Sequence, residues 1–197
     1  AVILEPIQSV VGVKMAEESY YRGLRDWCDR NGVVLIFDEV QTGNGRTGKW
    51  FVGEHWGMAP DLVTTAKGLG GGYPVGAVLA NEKIAATVEP GDQATTFGGG
   101  PMAAAAVAAT YRIIEEEGLV EQVARLSVGV IERLGEYAGR GVEEVRGLGY
   151  LLGVRCQRPA KEIQAALLEH NILVGTSGDS QTFRLLPPLT VSPSEWD

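Results

Sequence analysis

Five consecutive apolar residues, Val33-Val34-Leu35-Ile36-Phe37, end on the carboxylate of Asp38. A run of this length without polar alternation predicts a parallel strand covered on both faces. A second apolar run, Ala1-Val2-Ile3-Leu4, stops at Glu5-Pro6. Between them Tyr21, Leu24, Trp27 and Cys28 recur at helical spacing over residues 18–30, and Asn31-Gly32 supplies the helix stop. Strand, helix and strand together predict a βαβ unit with a right-handed crossover. That unit commits the chain to an α/β fold.

Further along, Pro60-Asp61 leads into a short strand over residues 62–64, another strand is expected over 75–79, and a helical turn over 82–86. Residues 49–58 read as irregular with scattered aromatics, and 89–100 as mostly loop. Pro101 opens an alanine-rich helix reaching about Glu117, with Gly118 as its stop; alanines at that density point to close packing. The next helix, over about 119–137, carries Leu119, Val123, Leu126, Val130, Ile131 and Leu134 on one face. After Gly139 the texture shortens. Strands are expected over 142–145, 151–154, 172–174 and 183–186, with a helix over 160–170. The expected organisation is a larger α/β part over residues 1–139, followed by a small α+β unit over 140–197.

Composition removes several function classes. The 197 residues are 45% hydrophobic with a mean hydropathy of +0.02, enough apolar material to bury a core. A net charge of −8 argues against a nucleic-acid partner, which ordinarily meets a basic face. No apolar run approaches the ~18 residues of a transmembrane helix, and no signal peptide is evident. Cys28 and Cys156 lie in ordinary helix and strand patterns and read as buried free thiols of a reducing compartment, so the expected location is cytoplasmic. His55 and His170 lack metal-ligand spacing, and no metal is expected.

Two glycine-rich stretches carry the candidate chemistry. Gly43-Asn44-Gly45-Arg46-Thr47-Gly48-Lys49 fits a phosphate-binding loop, except that Trp50 stands where a Mg²⁺-ligating hydroxyl belongs. It also fits a dinucleotide fingerprint, but Trp50-Phe51-Val52-Gly53 is not the helix that motif must open, and both nucleotide readings are weak. In the other stretch, Lys67 stands between a short strand and Gly68-Leu69-Gly70-Gly71-Gly72. Glycines there give up helix and strand propensity alike, which makes sense if the backbone must turn tightly and let something approach the amine. A lysine and a strand-end carboxylate at the carboxyl edge of an α/β sheet are the two groups that pyridoxal phosphate chemistry needs. The lysine holds the aldehyde as an imine, and the carboxylate keeps the pyridine nitrogen protonated so that the ring can absorb carbanion charge. Displaced by the substrate amine, the free lysine can carry the proton. Taken singly, Lys67 also reads as a solvated surface lysine and Asp38 as a strand-end turn residue.

Several stretches, in order along essentially the whole chain, extend the pattern: Glu5-Pro6-Ile7-Gln8, Leu35-Ile36-Phe37-Asp38-Glu39-Val40-Gln41-Thr42-Gly43, Gly45-Arg46-Thr47-Gly48, Pro60-Asp61-Leu62 through Lys67 to Gly76, Thr96-Phe97-Gly98-Gly99, Val145-Arg146-Gly147-Leu148-Gly149, and Phe183-Arg184-Leu185-Leu186-Pro187-Pro188-Leu189. In this set the chain resembles the class III (ornithine/acetylornithine/ω-amino acid) aminotransferases of pyridoxal-phosphate fold type I. The resemblance implies part of the large, mainly parallel-sheet domain plus a small α+β C-terminal domain. It implies that Lys67 is the Schiff-base lysine, Asp38 the partner of the pyridine nitrogen, and Gln41 the contact to the cofactor's 3′ oxygen. Thr96 matches the threonine that reaches the phosphate of a neighbouring subunit, which implies a homodimer with shared sites. Arg184 matches the arginine that binds the substrate α-carboxylate, a task suited to a planar fork of donors. Singly, Gln41 and Thr96 also read as ordinary loop polars, and Arg184 as a residue paired with an acid.

The implied function is transfer of an amino group from an amine or amino acid to a 2-oxo acid, by a ping-pong route. A decarboxylating transaminase of dialkylglycine type, an aminomutase and a catalytically silent homologue are the alternatives. Two positions depart from the family pattern. Ser9-Val10 stands where many members have Gly-Glu, whose glutamate can pair with the carboxylate-binding arginine, and Gly100 stands where asparagine is frequent. The chain begins in a strand and stops at Ser192-Pro193-Ser194-Glu195, a helix start with no helix after it, so it reads as a fragment. Without the family's front half, it is expected to bind the cofactor poorly and to be inactive alone.

Overall fold

The computed structural model describes residues 1–196; Asp197, the last residue of the expected helix start, lies outside them. The chain packs as two compact units. One comprises Ala1–Pro6, Ala16–Asn44 and Trp50–Glu117; the other comprises Ile7–Met15, Gly45–Lys49 and Gly118–Asp197. They part at Gly118, which takes a left-handed φ of 60° between two helices. The change of texture near residue 139 lies inside the second unit.

In the first unit β1 (Val2–Leu4), β2 (Leu35–Asp38), β3 (Leu62–Thr65) and β4 (Ala77–Ala80) form one sheet in that order. β1, β2 and β3 are parallel, and β4 returns antiparallel to β3. The connection from β1 to β2 is α1 (Glu18–Asn31), as the βαβ pattern requires. Gly32 ends α1 in the left-handed region, its N–H closing on Asp29 and its neighbour Val33 on Cys28. α1 docks through Tyr21, whose ring stacks on Trp56 at 4.1 Å and meets Phe37 edge-on at 6.4 Å. The Tyr21 hydroxyl donates to Pro6 O at 2.6 Å and accepts from the Ala16 N–H at 2.9 Å, so this buried ring leaves no polar group orphaned.

Some expectations move. Of the four apolar positions that recur at helical spacing along α1, Tyr21 and Cys28 are buried while Trp27 is 46% exposed. Residues 49–58 are not irregular throughout: Val52–Trp56 form a 3-10 helix. β2 buries Leu35 and Phe37 fully but Ile36 only partly, so one face is less covered than the apolar run predicts. After a short helix α2 (Glu82–Ala85), the alanine-rich α3 (Pro101–Glu116) buries only Ala103 and Ile114. The close packing expected of its alanines is not found among the described residues.

The second unit holds α4 (Leu119–Gly135) and an antiparallel sheet of β5 (Val142–Leu148), β6 (Leu151–Cys156), β8 (Thr182–Leu185) and β7 (Gly175–Thr176), in that order. With α5 (Ala160–Glu169) it closes a core around Val154, Cys156, Ala160 and Phe183, against which Leu134, Ile163 and Leu167 pack. The strand expected at residues 172–174 begins instead at Gly175. Asn171 takes a left-handed φ of 61° and Ile172 N–H still bonds back to Leu167, so pairing starts only once the helix has been closed. Ser192 and Glu195 form the capping box read from sequence, over a 3-10 turn at Pro193–Glu195. Both cysteines are free and buried.

Candidate active site

In the first unit the parallel pairing of β2 with β3 sets Asp38 opposite Thr64, three residues before Lys67. Both chains leave the sheet at this carboxyl edge, where open α/β folds bind ligands. Asp38 is half-buried; its Oδ1 accepts the Val40 N–H at 3.1 Å, and its other oxygen has no partner among the described residues. Glu39 N–H bonds Thr64 O at 2.9 Å and Gly43 N–H returns to Glu39 O at 2.9 Å, which folds residues 39–43 into a tight turn carrying Gln41. A Cβ on Gly43 would lie 2.9 Å from Glu39 O, so only glycine closes that turn.

Lys67 leaves β3 with φ +49°, a left-handed conformation unusual for a lysine. It begins a 3-10 turn, Lys67–Gly70, ended by Gly71 at φ 57°. Leu69 is buried beneath the turn while Lys67 is exposed, its amine without an ion pair or hydrogen bond among the described residues. The backbone segments that bear Asp38, Gln41 and Lys67 thus all leave the sheet at this edge. Thr96 lies elsewhere in the first unit, exposed in the loop between α2 and α3.

Arg184, on β8, belongs to the second unit. Its Nε donates to Thr176 O at 2.9 Å and its Nη1 to Ser9 Oγ at 3.0 Å. The segment bearing Ser9 is pinned by bridging between Gln8 and Lys14 and by Val13, which is fully buried at a left-handed φ of 54°. Glycine at 147 and 153 makes room for Val13; a Cβ at either would approach its side chain to about 3 Å. The glycine loop 43–49 has a packing explanation as well. A Cβ on Gly48 would meet Ala124 of α4 at 2.9 Å.

Sequence reasoning gave no role to Glu39, the most confined acid of the first unit. It is 0% exposed, with Oε2 accepting from Val52 N–H at 2.7 Å and from the Thr42 hydroxyl at 3.0 Å, while Oε1 is buried without a partner. Burial pushes its pKa up to about 7, against the Val52 N–H, the Thr42 hydroxyl and the Gly53 N–H, and with help from the Glu54 charge. Its sequence signal was its place directly after a strand-end acid and before an apolar residue. Asn44, Thr65 and Tyr111, which form a buried polar relay beside Lys67, were missed too; nothing local in their sequence marks them. Among the described residues no group of three or more His, Cys, Asp or Glu is arranged to hold a metal ion, and no helix is long and apolar enough to cross a membrane.

The family model described as aminotransferase class-III matches residues 1–197. The acetylornithine aminotransferase of Methanosarcina mazei is 41% identical over 197 residues, covering 100% of this chain and 49% of its own length. That of Methanopyrus kandleri is 46% identical over 198 residues, covering 99% and 50%. The chain therefore spans about half the length of the curated relatives it matches. Among solved structures, the acetylornithine aminotransferase of Elizabethkingia anophelis superposes with a TM-score of 0.92 at 32% identity, over 98% of this chain and 50% of that one. The ornithine aminotransferase of Toxoplasma gondii, crystallised with oxidised glutathione and holding PLP at partial occupancy in its active site, gives 0.92 at 29% identity, over 98% and 47%.

Proposed function

The chain belongs to the class-III aminotransferase family, and on that premise we propose that the protein carrying it transfers an amino group from an amine or amino acid to a 2-oxo acid with pyridoxal phosphate. The observation that carries this reading is the register of β2 and β3, which supports a carboxylate and an unpaired lysine at one sheet edge. The donor set fits the cofactor. Asp38 keeps an acceptor free for a protonated ring nitrogen, Gln41 offers an amide for a phenolic oxygen, and Lys67 has no competing partner for its amine.

Bound there, pyridoxal phosphate supplies an aldehyde that takes up the amino group and a ring that absorbs carbanion charge. Lys67 Nζ would hold that aldehyde carbon and, when freed, would carry the proton from the substrate carbon bearing the amino group to the former aldehyde carbon. Asp38, tied to the Val40 N–H, would accept a hydrogen bond from the ring nitrogen and so keep that nitrogen protonated. Arg184 orients a substrate carboxylate with its guanidinium, which has no acid partner among the described residues. By the family resemblance Thr96, exposed on its loop, would reach the phosphate of a second copy, which makes the working form a homodimer; the free, buried cysteines fit a reducing compartment, the cytoplasm, and the substrates are small molecules.

The test uses the complete protein that carries this chain. Borohydride treatment of the cofactor-loaded protein is expected to leave one stable cofactor adduct, mapped by peptide mass spectrometry to Lys67 and absent in Lys67→Ala. An adduct that survives Lys67→Ala, or none in the wild type, overturns the assignment. A screen of amino donors then identifies the substrate.

A further inference from the structure

Asn44 and Lys67 are both non-glycine residues in the left-handed region, at φ 58° and 49°, and hydrogen bonds join Asn44 to the two residues that precede Lys67. Asn44 is 5% exposed. Its Nδ2 donates to Thr65 Oγ1 at 2.9 Å and to Ala66 O at 3.4 Å, the last two residues before the lysine. Its Oδ1 accepts the Tyr111 hydroxyl at 2.9 Å. The orientation of the amide follows from chemistry, since the Ala66 carbonyl can only accept and must face the nitrogen. Tyr111, on α3, is stacked on Trp50 at 4.9 Å, which limits where its hydroxyl can go. One residue earlier on α3, Thr110 approaches Gly71 so closely that a Cβ there would lie 2.7 Å from its Oγ1. The 3-10 turn that starts at Lys67 is therefore gripped from both ends, by Asn44 at its entry and by α3 at its exit.

We infer that Asn44 is a positioning residue for Lys67: its amide, aimed by Tyr111, fixes Thr65 and Ala66 so that the lysine leaves β3 left-handed with its amine free. A positive φ at a side-chain-bearing residue persists only when its surroundings over-determine it, and here the relay supplies the constraint. Thr65 is 2% exposed, so no water competes for its hydroxyl. The Asn44 side chain hydrogen-bonds Thr65, Ala66 and Tyr111 rather than Asp38 or the amine, and so acts through backbone geometry. The inference rests on reading Lys67 as the lysine that holds the cofactor.

The experiment uses the complete protein as wild type, Asn44→Ala and Tyr111→Phe. Amide hydrogen exchange over residues 67–71 is followed in the cofactor-free form. The rate at which added pyridoxal phosphate becomes fixed to Lys67 is followed by borohydride quenching; the Nζ–carbon bond forms with loss of water, and hydride from borohydride makes it permanent. Asn44→Ala is expected to speed that exchange and slow fixation about 10-fold, with Tyr111→Phe giving roughly 3-fold changes in the same directions. Wild-type exchange and fixation in Asn44→Ala overturn the inference. So does faster exchange with unchanged fixation, because the relay would then be only structural. Should Asn44→Ala fail to fold, Tyr111→Phe decides by the same two readouts. An adduct on a lysine other than Lys67 sinks the reading of the site instead, and is recognised by its mapped position.

Discussion

The Arg184 guanidinium donates to the hydroxyl of Ser9 across 3.0 Å, at the position where the family pattern's Gly-Glu would bring an acid close by. A hydroxyl satisfies one N–H without bringing a negative charge, so the Arg184 fork is left without an acid partner among the described residues and is open to an incoming carboxylate. In the complete protein Arg184→Lys is expected to raise KM for carboxylate-bearing donors at least about 10-fold, because a point charge replaces a fork. Ser9→Ala should raise KM by only about 2- to 5-fold and leave kcat unchanged, since it loosens the fork without removing it. Steady-state kinetics with a carboxylate donor and a carboxylate-free amine separate the two effects. Equal losses on both donors would refute the assignment of Arg184.

Glu39 makes stability depend on pH in a definite direction. Its pKa is raised from the ordinary 4.5 to about 7 in the folded chain, so the native state binds the proton more tightly than the unfolded state does. The resulting stabilisation is full below about 4.5 and is lost as pH rises through about 7, a change of about 3 kcal/mol at most. Glu39→Gln keeps an acceptor for Val52 and Thr42 but cannot titrate. Its stability relative to wild type, from urea unfolding at several pH values, should rise between those limits and level off above them. Parallel profiles for the two proteins would remove Glu39 as the source.

Asp61 works with the opposite sign, at the other edge of the same sheet. Its Oδ2 accepts the Leu35 N–H at 2.8 Å and an Arg25 N–H at 2.9 Å, and its Oδ1 the Asn81 amide at 2.8 Å. Burial alone would raise its pKa, but the Leu35 N–H, Arg25 and Asn81 together hold it below the usual carboxylate range. Its contribution is therefore present above the unfolded value and lost as pH falls through the depressed one. Asp61→Asn should cost about 2 kcal/mol at neutral pH, and the gap to wild type should close only in acid. Denaturant titrations at pH 7 and in the acid range test this.

Glycines with similar backbone angles differ in what surrounds them. Gly149 has φ 57°, and a Cβ on it would sit 2.4 Å from the Thr47 carbonyl carbon; Gly32 has φ 62° with nothing within 4 Å. Gly32→Ala should cost about 1 kcal/mol from backbone strain alone. Gly149→Ala adds a collision with rigid backbone and should cost roughly 3 kcal/mol or more. Thermal unfolding of the two variants is the measurement, and equal losses would refute the steric argument.

The helices and most strands were legible because their signals are local. The stop at Gly32, the apolar face of α4 and the capping box at Ser192 lie within a few residues of the structure they cause. The exposure of Trp27 was not legible, because helical spacing alone does not say which flank of the helix faces the sheet. Residues 172–174 misled because a short apolar run does not reveal where the helix before it closes.

Local signals along the chain were enough for the βαβ unit, the acid at the end of β2, and the lysine among glycines after β3. These rest on periodicity, on strand ends and on glycine's backbone freedom. Only the tertiary structure decided that Glu39 is sealed away with one oxygen unpartnered, that Ser9 answers Arg184, and that Asn44 and Tyr111 meet beside Lys67. The physical reason is separation. Those relationships join residues far apart in the chain or depend on solvent exclusion, and neither leaves a mark on the residues next door.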